Sequence, residues 1–165
     1  MTIFREKLDR ACATNKSLVC IGLDPDLEKM PTKNVYEFNQ NIIEATIDLV
    51  CAYKPNLAYY ESLGLAGLAD LEKTISYIKN KASDVIIIGD GKRGDIGSSS
   101  SAYARAMFHE WGFDAATINS WGGKDTVEPF LADENHGAFI WCRGSNPGST
   151  DLQDLIVNSD GYEIP

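Results

Sequence analysis

The chain reads as an α/β protein built on a parallel sheet, and three observations predict it. Short aliphatic runs alternate with stretches of helical periodicity along most of the chain. The run Val85-Ile86-Ile87-Ile88 is continuous and β-branched, the pattern of a strand buried on both faces. Successive aliphatic runs also end in charge: Asp24 after the first, Lys54 at the second, Asp90 and Lys92 after the third. The carboxyl edge of a parallel sheet is where α/β proteins place their functional groups.

Taken in order, Ile3, Phe4, Leu8, Ala11 and Cys12 mark one face of an opening helix. Leu18 to Leu23 reads as the first strand, ending in Asp24-Pro25-Asp26. Val35, Phe38, Ile42, Thr46 and Leu49 follow helical spacing, and Ala52 to Asn56 forms a short second strand carrying Lys54. Leu65, Leu68, Leu71, Ile75 and Ile78 form the next helical stripe. The third strand is Val85 to Asp90, followed by a helix through Ser100, Tyr103, Ala104, Met107 and Trp111. Asp114 to Asn119 is the fourth strand, with a helix near Asp125 to Ala132; Ala138 to Arg143 is the fifth. A last helix is expected from a Ser149 or Thr150 cap through Leu152, Leu155 and Ile156. Two architectures fit this alternation. Length favours an open doubly wound sheet over an eight-stranded barrel of roughly 250 residues, whereas charge arriving from successive strand ends favours the barrel.

Composition bounds the function. At 165 residues the chain has room for one domain with a substantial core, so 1–165 is read as a single domain. The net charge of −9 (15 basic against 24 acidic residues) argues against nucleic acid as a bulk electrostatic partner. A local basic cluster can still hold a small anion. The four cysteines include no C-x-x-C pair and are expected to be free, buried and reduced, as in a cytoplasmic protein. The opening segment is amphipathic and unlike a secretory signal, and no apolar run approaches the roughly 20 residues that span a bilayer. His109 and His136 have no partner at metal-ligand spacing.

The densest chemistry is Asp90-Gly91-Lys92-Arg93-Gly94-Asp95-Ile96-Gly97. If the third strand runs through Lys92, alternation puts Asp90 and Lys92 on one face with Ile86 and Ile88, and Asp95 falls in the following loop. Paired charges at the end of a buried strand are expensive, which points to chemistry over stability. The plainer reading is a βα loop in which Asp is a helix cap and Lys and Arg are ordinary surface residues.

These residues resemble the D-x-K-x-x-D-I signature of the orotidine 5′-phosphate decarboxylase family, in the form D-x-K-R-G-D-I-G of one bacterial branch. Cys20-Ile-Gly-Leu-Asp24-Pro-Asp, Tyr53-Lys54-Pro-Asn and Cys142-Arg-Gly-Ser145-Asn-Pro-Gly are similar to the family's first, second and fifth strand ends, in the family's order. The resemblance implies a (β/α)₈ barrel of which only about the first five βα units are present. The chain is therefore expected to be incomplete at its carboxyl end, without the phosphate-gripping loops after strands seven and eight. It implies decarboxylation of orotidine 5′-monophosphate to uridine 5′-monophosphate with no metal or organic cofactor. Lys92 is expected to protonate the C6 carbanion, within a charged array of Lys54, Asp90, Lys92 and Asp95. Asp24 and Lys54 are expected at the ribose, and Ser145 at the pyrimidine amide edge. Asp95, Ile96 and Ser99 are expected to reach the partner's site in a homodimer. Gly91, and Ser120-Trp121 where Pro-Tyr is expected, depart from the family pattern.

Two rivals accompany this reading. Magnesium-dependent sugar-phosphate decarboxylases and aldolases share D-x-K-x-x-D but usually read D-A-G where this chain has Asp95-Ile96-Gly97. The other is an inactive or nucleotide-binding fragment of the decarboxylase. Gly122-Gly123-Lys124-Asp125 lacks the glycine spacing of a P-loop.

Overall fold

The computed structural model describes residues 3–159 and 162–164; Pro165, where the expectation of an incomplete fifth unit ended, lies outside them. The elements are α1 (Phe4–Asn15), β1 (Cys20–Leu23), α2 (Val35–Thr46), β2 (Ala52–Pro55), α3 (Leu57–Glu61) and α4 (Gly64–Lys81). There follow β3 (Ile86–Arg93), α5 (Gly97–Arg105), β4 (Ala115–Ile118), α6 (Lys124–Leu131), β5 (Gly137–Ile140), α7 (Thr150–Gln153), β6 (Val157–Ser159) and β7 (Tyr162–Ile164). The first five strands form one parallel sheet in the order β1-β2-β3-β4-β5, and β6 and β7 form a separate antiparallel hairpin.

That strand order decides between the two architectures. A doubly wound sheet reverses direction after its first strands and so puts non-consecutive strands side by side. Here every strand lies beside its sequence neighbour, the winding of a barrel wall. Strand alternation then sorts the core into two layers. Tyr53, Ile87, Ala116 and Ile118 face outward and pack with Ile43, Leu57, Tyr60, Leu71, Ile78, Met107, Phe113 and Phe130 from the surrounding helices and loops. Ala52, Ile86, Ile88 and Ala115 face inward and are closed from below by α1 through Phe4, Leu8 and Ala11. Ile86 and Ile88 thus form a floor beneath Asp90, as alternation along the third strand predicts.

Local chemistry sets the element ends that matter. Asn34 caps α2, its side-chain oxygen accepting from the Glu37 N–H at 3.1 Å. Asn56 likewise caps α3, a short helix not foreseen from sequence because five residues carry no periodicity. Buried Tyr60 on α3 donates to the carbonyl of Leu23 at 3.2 Å and accepts from Asn39 at 3.0 Å, fixing the end of β1 one residue before Asp24. Burial pushes the Tyr60 phenol far above its ordinary pKa, so it remains a donor.

Several expected boundaries move. The third strand continues to Arg93, while the fourth and fifth shrink to four residues each. Asp114 lies just before β4, where its carboxylate accepts from the Ile87 N–H at 3.0 Å and from Lys7 at 3.3 Å. The helix after β3 ends in a π-helical turn, Ala106–Glu110. The last helix stops at Gln153 and leaves Leu152, Leu155 and Ile156 more than half exposed. An amphipathic stripe holds a helix only when it packs against something. The cysteines also differ from expectation: Cys51 is buried and Cys12 half-buried, but Cys20 and Cys142 are exposed. Cys20 lies on β1, which pairs on one side with β2, and Cys142 lies past the end of β5. Among the described residues no helix is long and apolar enough to cross a membrane.

Candidate active site

The carboxyl edge of the sheet gathers three of the charged residues singled out in the sequence. Asp90, 5% exposed, sits at their centre. Its Oδ2 accepts from Lys54 Nζ at 2.8 Å, and its Oδ1 accepts from Lys92 Nζ at 2.7 Å. Lys54 arrives from β2 and both other groups from β3, so adjacency of parallel strands builds the cluster. Burial by itself would raise the Asp90 carboxyl, but hydrogen bonds from Lys54, Lys92 and Thr117 outweigh it and hold the group at about 2. Burial opposes the charge on Lys54 in the same way, yet its hydrogen bond and attraction to Asp90, with a further contribution from Asp24, raise it above the ordinary lysine value. Asp90 and Lys54 therefore stay ionised through the neutral range.

Thr117 completes the arrangement, and sequence reading missed it. Its hydroxyl donates to Asp90 Oδ1 at 2.7 Å and accepts from the Lys92 backbone N–H at 2.9 Å. Thr117 lies on β4, whose inward face it shares with Ala115. Inward placement on the strand next to the acidic centre was the available signal. The structure also revises why Asp90 and Lys92 meet. Pairing runs Gly89 with Ala116 and then Arg93 with Ile118, so β3 carries extra residues against β4. Lys92 sits within this irregularity at φ 44°, a left-handed backbone that is costly for a side chain of this shape. Simple alternation does not extend to Lys92; the bulge and the Thr117 hydrogen bond aim it.

If the array turns over a substrate, Thr117→Val is expected to lower kcat about 5- to 100-fold, because it removes one of the two donors to Asp90 Oδ1 and takes away the acceptor of the Lys92 backbone N–H. KM should change little. The acid limb of the rate profile should move to higher pH, since Asp90 loses a hydrogen bond that lowers its pKa. Thr117→Ser should restore both. Parallel losses in kcat and KM with an unmoved profile would show that Thr117 does not act through Asp90.

The remaining predicted residues are placed separately. Asp24 is exposed just past β1, close enough to Lys54 to raise its pKa without touching it. Asp95 is exposed in the loop after β3, where its Oδ1 accepts from the Ile96 N–H at 2.7 Å, so the described residues do not bring it into the array. Ile96 is 65% exposed, and Ser99 is exposed on the first turn of α5. Its neighbour Ser100 is buried and donates to the Thr126 carbonyl at 2.6 Å, tying α5 to α6. Asp95, Ile96, Asn119, Trp121 and Thr126 line a hollow of about 220 Å³ at the rim. Gly94 enters it pressed against the Asn119 carbonyl, a position with no room for a Cβ. Ser145 is exposed in the loop after β5. Outside the site, Arg93 pairs with Glu61 and lies 5.4 Å from the Tyr103 ring, joining β3 to α3 and α5.

Comparison with known proteins agrees with this geometry. Residues 17–164 match the family model described as the orotidine 5′-phosphate decarboxylase / HUMPS family. Orotidine 5′-phosphate decarboxylase of Thermomicrobium roseum is 49% identical over 98% of this chain and 58% of its own length. That of Herpetosiphon aurantiacus is 47% identical over 95% and 60%. The chain thus spans about three-fifths of the length of these relatives. The solved structure of Leishmania donovani OMP decarboxylase superposes with a TM-score of 0.83 at 32% identity, over 94% of this chain and 60% of that one. Five consecutive parallel strands, a Lys–Asp–Lys cluster at their carboxyl edge and these matches together establish that the chain belongs to the orotidine 5′-phosphate decarboxylase family and covers part of that family's (β/α)₈ barrel.

Proposed function

We propose that this chain carries the catalytic array for converting orotidine 5′-monophosphate to uridine 5′-monophosphate without a cofactor. The observation that carries the reading is Asp90, buried and ionised between the ammonium groups of Lys54 and Lys92. When the C6–carboxylate bond breaks, its electron pair stays on C6 and CO₂ leaves. That anion needs a fixed positive charge beside it and then a proton. Lys92 supplies both: its ammonium faces the site, and transfer of one proton from Nζ to C6 completes the product. Solvent then reprotonates the amine. Asp90 holds Lys92 in place and lies where a substrate carboxylate approaches, so loss of CO₂ relieves repulsion between two anions. Lys54 balances Asp90 and keeps the buried charges paired.

Binding roles follow from position. Asp24 and Lys54, neighbouring in field, suit ribose hydroxyls, and Ser145 on the β5 loop suits the pyrimidine amide edge. Asp95, Ile96 and Ser99 stand exposed beyond the array, and Trp121 beside them is 82% exposed. Aromatic and aliphatic exposure next to a carboxylate suits a face that a second copy covers, so Asp95 and Ile96 serve the partner's site in a homodimer. The four free thiols support a reducing, cytoplasmic setting, and the net charge of −9 supports a small-molecule substrate over nucleic acid.

The test is turnover of orotidine 5′-monophosphate by the 165-residue chain in the presence of a chelator, following uridine 5′-monophosphate and CO₂. Undiminished turnover with chelator is expected and excludes the magnesium-dependent rival, whose enediolate needs the ion. Loss of activity on chelation, restored by magnesium, overturns the cofactor-free reading. Substrate binding without turnover overturns catalysis by this chain in favour of a nucleotide-binding role.

A further inference from the structure

Two of the cysteines meet beneath the sheet, on the side opposite the rim of the charged array. Cys12 lies in the last turn of α1 and Cys51 immediately before β2, and both belong to the floor cluster with Ala11, Ala52 and Ile86. The Cys51 thiol, 5% exposed, donates to the Val19 carbonyl at 3.4 Å, and the Cys12 side chain, packed against the same cluster, is near enough to raise its pKa. The backbone on both sides is clamped. The Asn15 amide donates to the carbonyls of Ile47 at 2.9 Å and Val50 at 2.8 Å, and the Cys51 N–H donates to Val19 at 2.9 Å. The end of α1 and the start of β2 are therefore held together, with Cys12 and Cys51 on the two held segments.

The geometry points to Cys12 and Cys51 as a reversible dithiol–disulfide site that, when oxidised, staples α1 to the floor of the sheet. Neither residue takes part in the chemistry proposed at Asp90 and Lys92, so this site stands apart from that reading. The oxidant is a small-molecule disulfide. Half-exposed Cys12, as thiolate, attacks one sulfur of the oxidant, forming a mixed disulfide and releasing one thiolate. Cys51, as thiolate, then attacks the Cys12 sulfur, forms the intramolecular bond and releases the second small thiolate. Two protein thiols are oxidised, the oxidant is reduced to two thiols, and the two protons pass to the leaving thiolates. Burial first, and then the neighbouring Cys12, push the Cys51 thiol up to about 11, so the second displacement is the slow one and quickens with pH. The bond closes a loop of about 40 residues, which restricts the unfolded chain.

The chain is incubated with glutathione disulfide at mildly alkaline pH, alkylated and mapped by peptide mass spectrometry. Two of the four free thiols should disappear into one Cys12–Cys51 cross-link. Tm should rise by about 5 °C, and a dithiol reductant should reverse both changes. Cys12→Ser and Cys51→Ser should each abolish the cross-link and the shift, and Cys142→Ser should abolish neither. Cys12 is half-exposed, so its variant retains the fold if that of buried Cys51 does not. A cross-link from Cys51 to Cys20, a persistent mixed disulfide on Cys12 beside a free Cys51, four surviving thiols, or a cross-link without a rise in Tm would each overturn the proposal.

Discussion

Lys92→Ala should reduce turnover of orotidine 5′-monophosphate by about 10⁴-fold or more, since it removes both a positioned proton donor and the charge beside the developing carbanion. The loss should fall on kcat. Lys54 remains to attract an anionic substrate, and the fold should survive because Lys92 is nearly half exposed and its backbone N–H keeps Thr117. The check is a single-turnover rate at saturating substrate, beside a urea melt of the same variant. An undiminished rate in a folded variant would remove Lys92 from the mechanism. Lys92→Arg should not rescue. A guanidinium keeps the charge but gives up a proton far less readily than an ammonium, and its planar fork does not fit the single Oδ1 contact of Lys92.

Asp90→Asn should cost about 10³-fold in kcat/KM and should also change how stability depends on pH. The variant leaves the Lys54 and Lys92 ammonium groups facing a neutral amide, so Lys54 loses the partner that raises its pKa and Lys92 loses its anchor. The stability effect has a definite sign. The Asp90 carboxyl titrates at about 2 in the folded chain against 3.8 ordinarily. Between those values the unfolded chain binds more protons, so the stability Asp90 contributes is fully present above pH 3.8 and is lost as pH falls toward 2. Urea unfolding at about pH 5 and about pH 3 should show a steeper loss for the parent than for Asp90→Asn. Equal slopes in the two proteins would show that Asp90 is not held ionised by its neighbours. Retained activity in Asp90→Asn would show that the carboxylate is dispensable to Lys92.

Much of the scaffold was legible in the sequence because its signals are local. The β-branched run at Val85–Ile88 reads as a buried strand, and its alternation correctly put Ile86 and Ile88 beneath Asp90. The stripe through Leu71, Ile75 and Ile78 became the buried face of α4, although Leu65, read on the same stripe, is 86% exposed. In α2 only Val35 of the expected Val35, Phe38, Ile42, Thr46 and Leu49 is buried, and the buried face runs through Val35, Asn39 and Ile43. Where a pattern needed a surface to pack on, local reading overran. Leu155 and Ile156 continue the stripe of α7, but they stand more than half exposed and the helix ends at Gln153. Length by itself pointed to a doubly wound sheet, but charge at successive strand ends and the family motifs pointed to a barrel, and the pairing of each strand with its sequence neighbour bears the barrel out.

By itself the sequence determined the five strands of the parallel sheet, the longer outer helices and the charged residues at the strand ends, because periodicity and residue type are properties of short segments; it foresaw neither α3 nor the β6–β7 hairpin. The tertiary structure alone decided that Lys54 and Lys92 share Asp90, that Thr117 bridges Asp90 to the Lys92 backbone, and that Asp95 turns to its own loop. These contacts join residues up to 36 positions apart across three strands. They depend on sheet register and on an irregularity in β3 that places Lys92 at positive φ. Register is fixed by how whole strands pack against α1 and the outer helices, and no short segment of the chain carries that information.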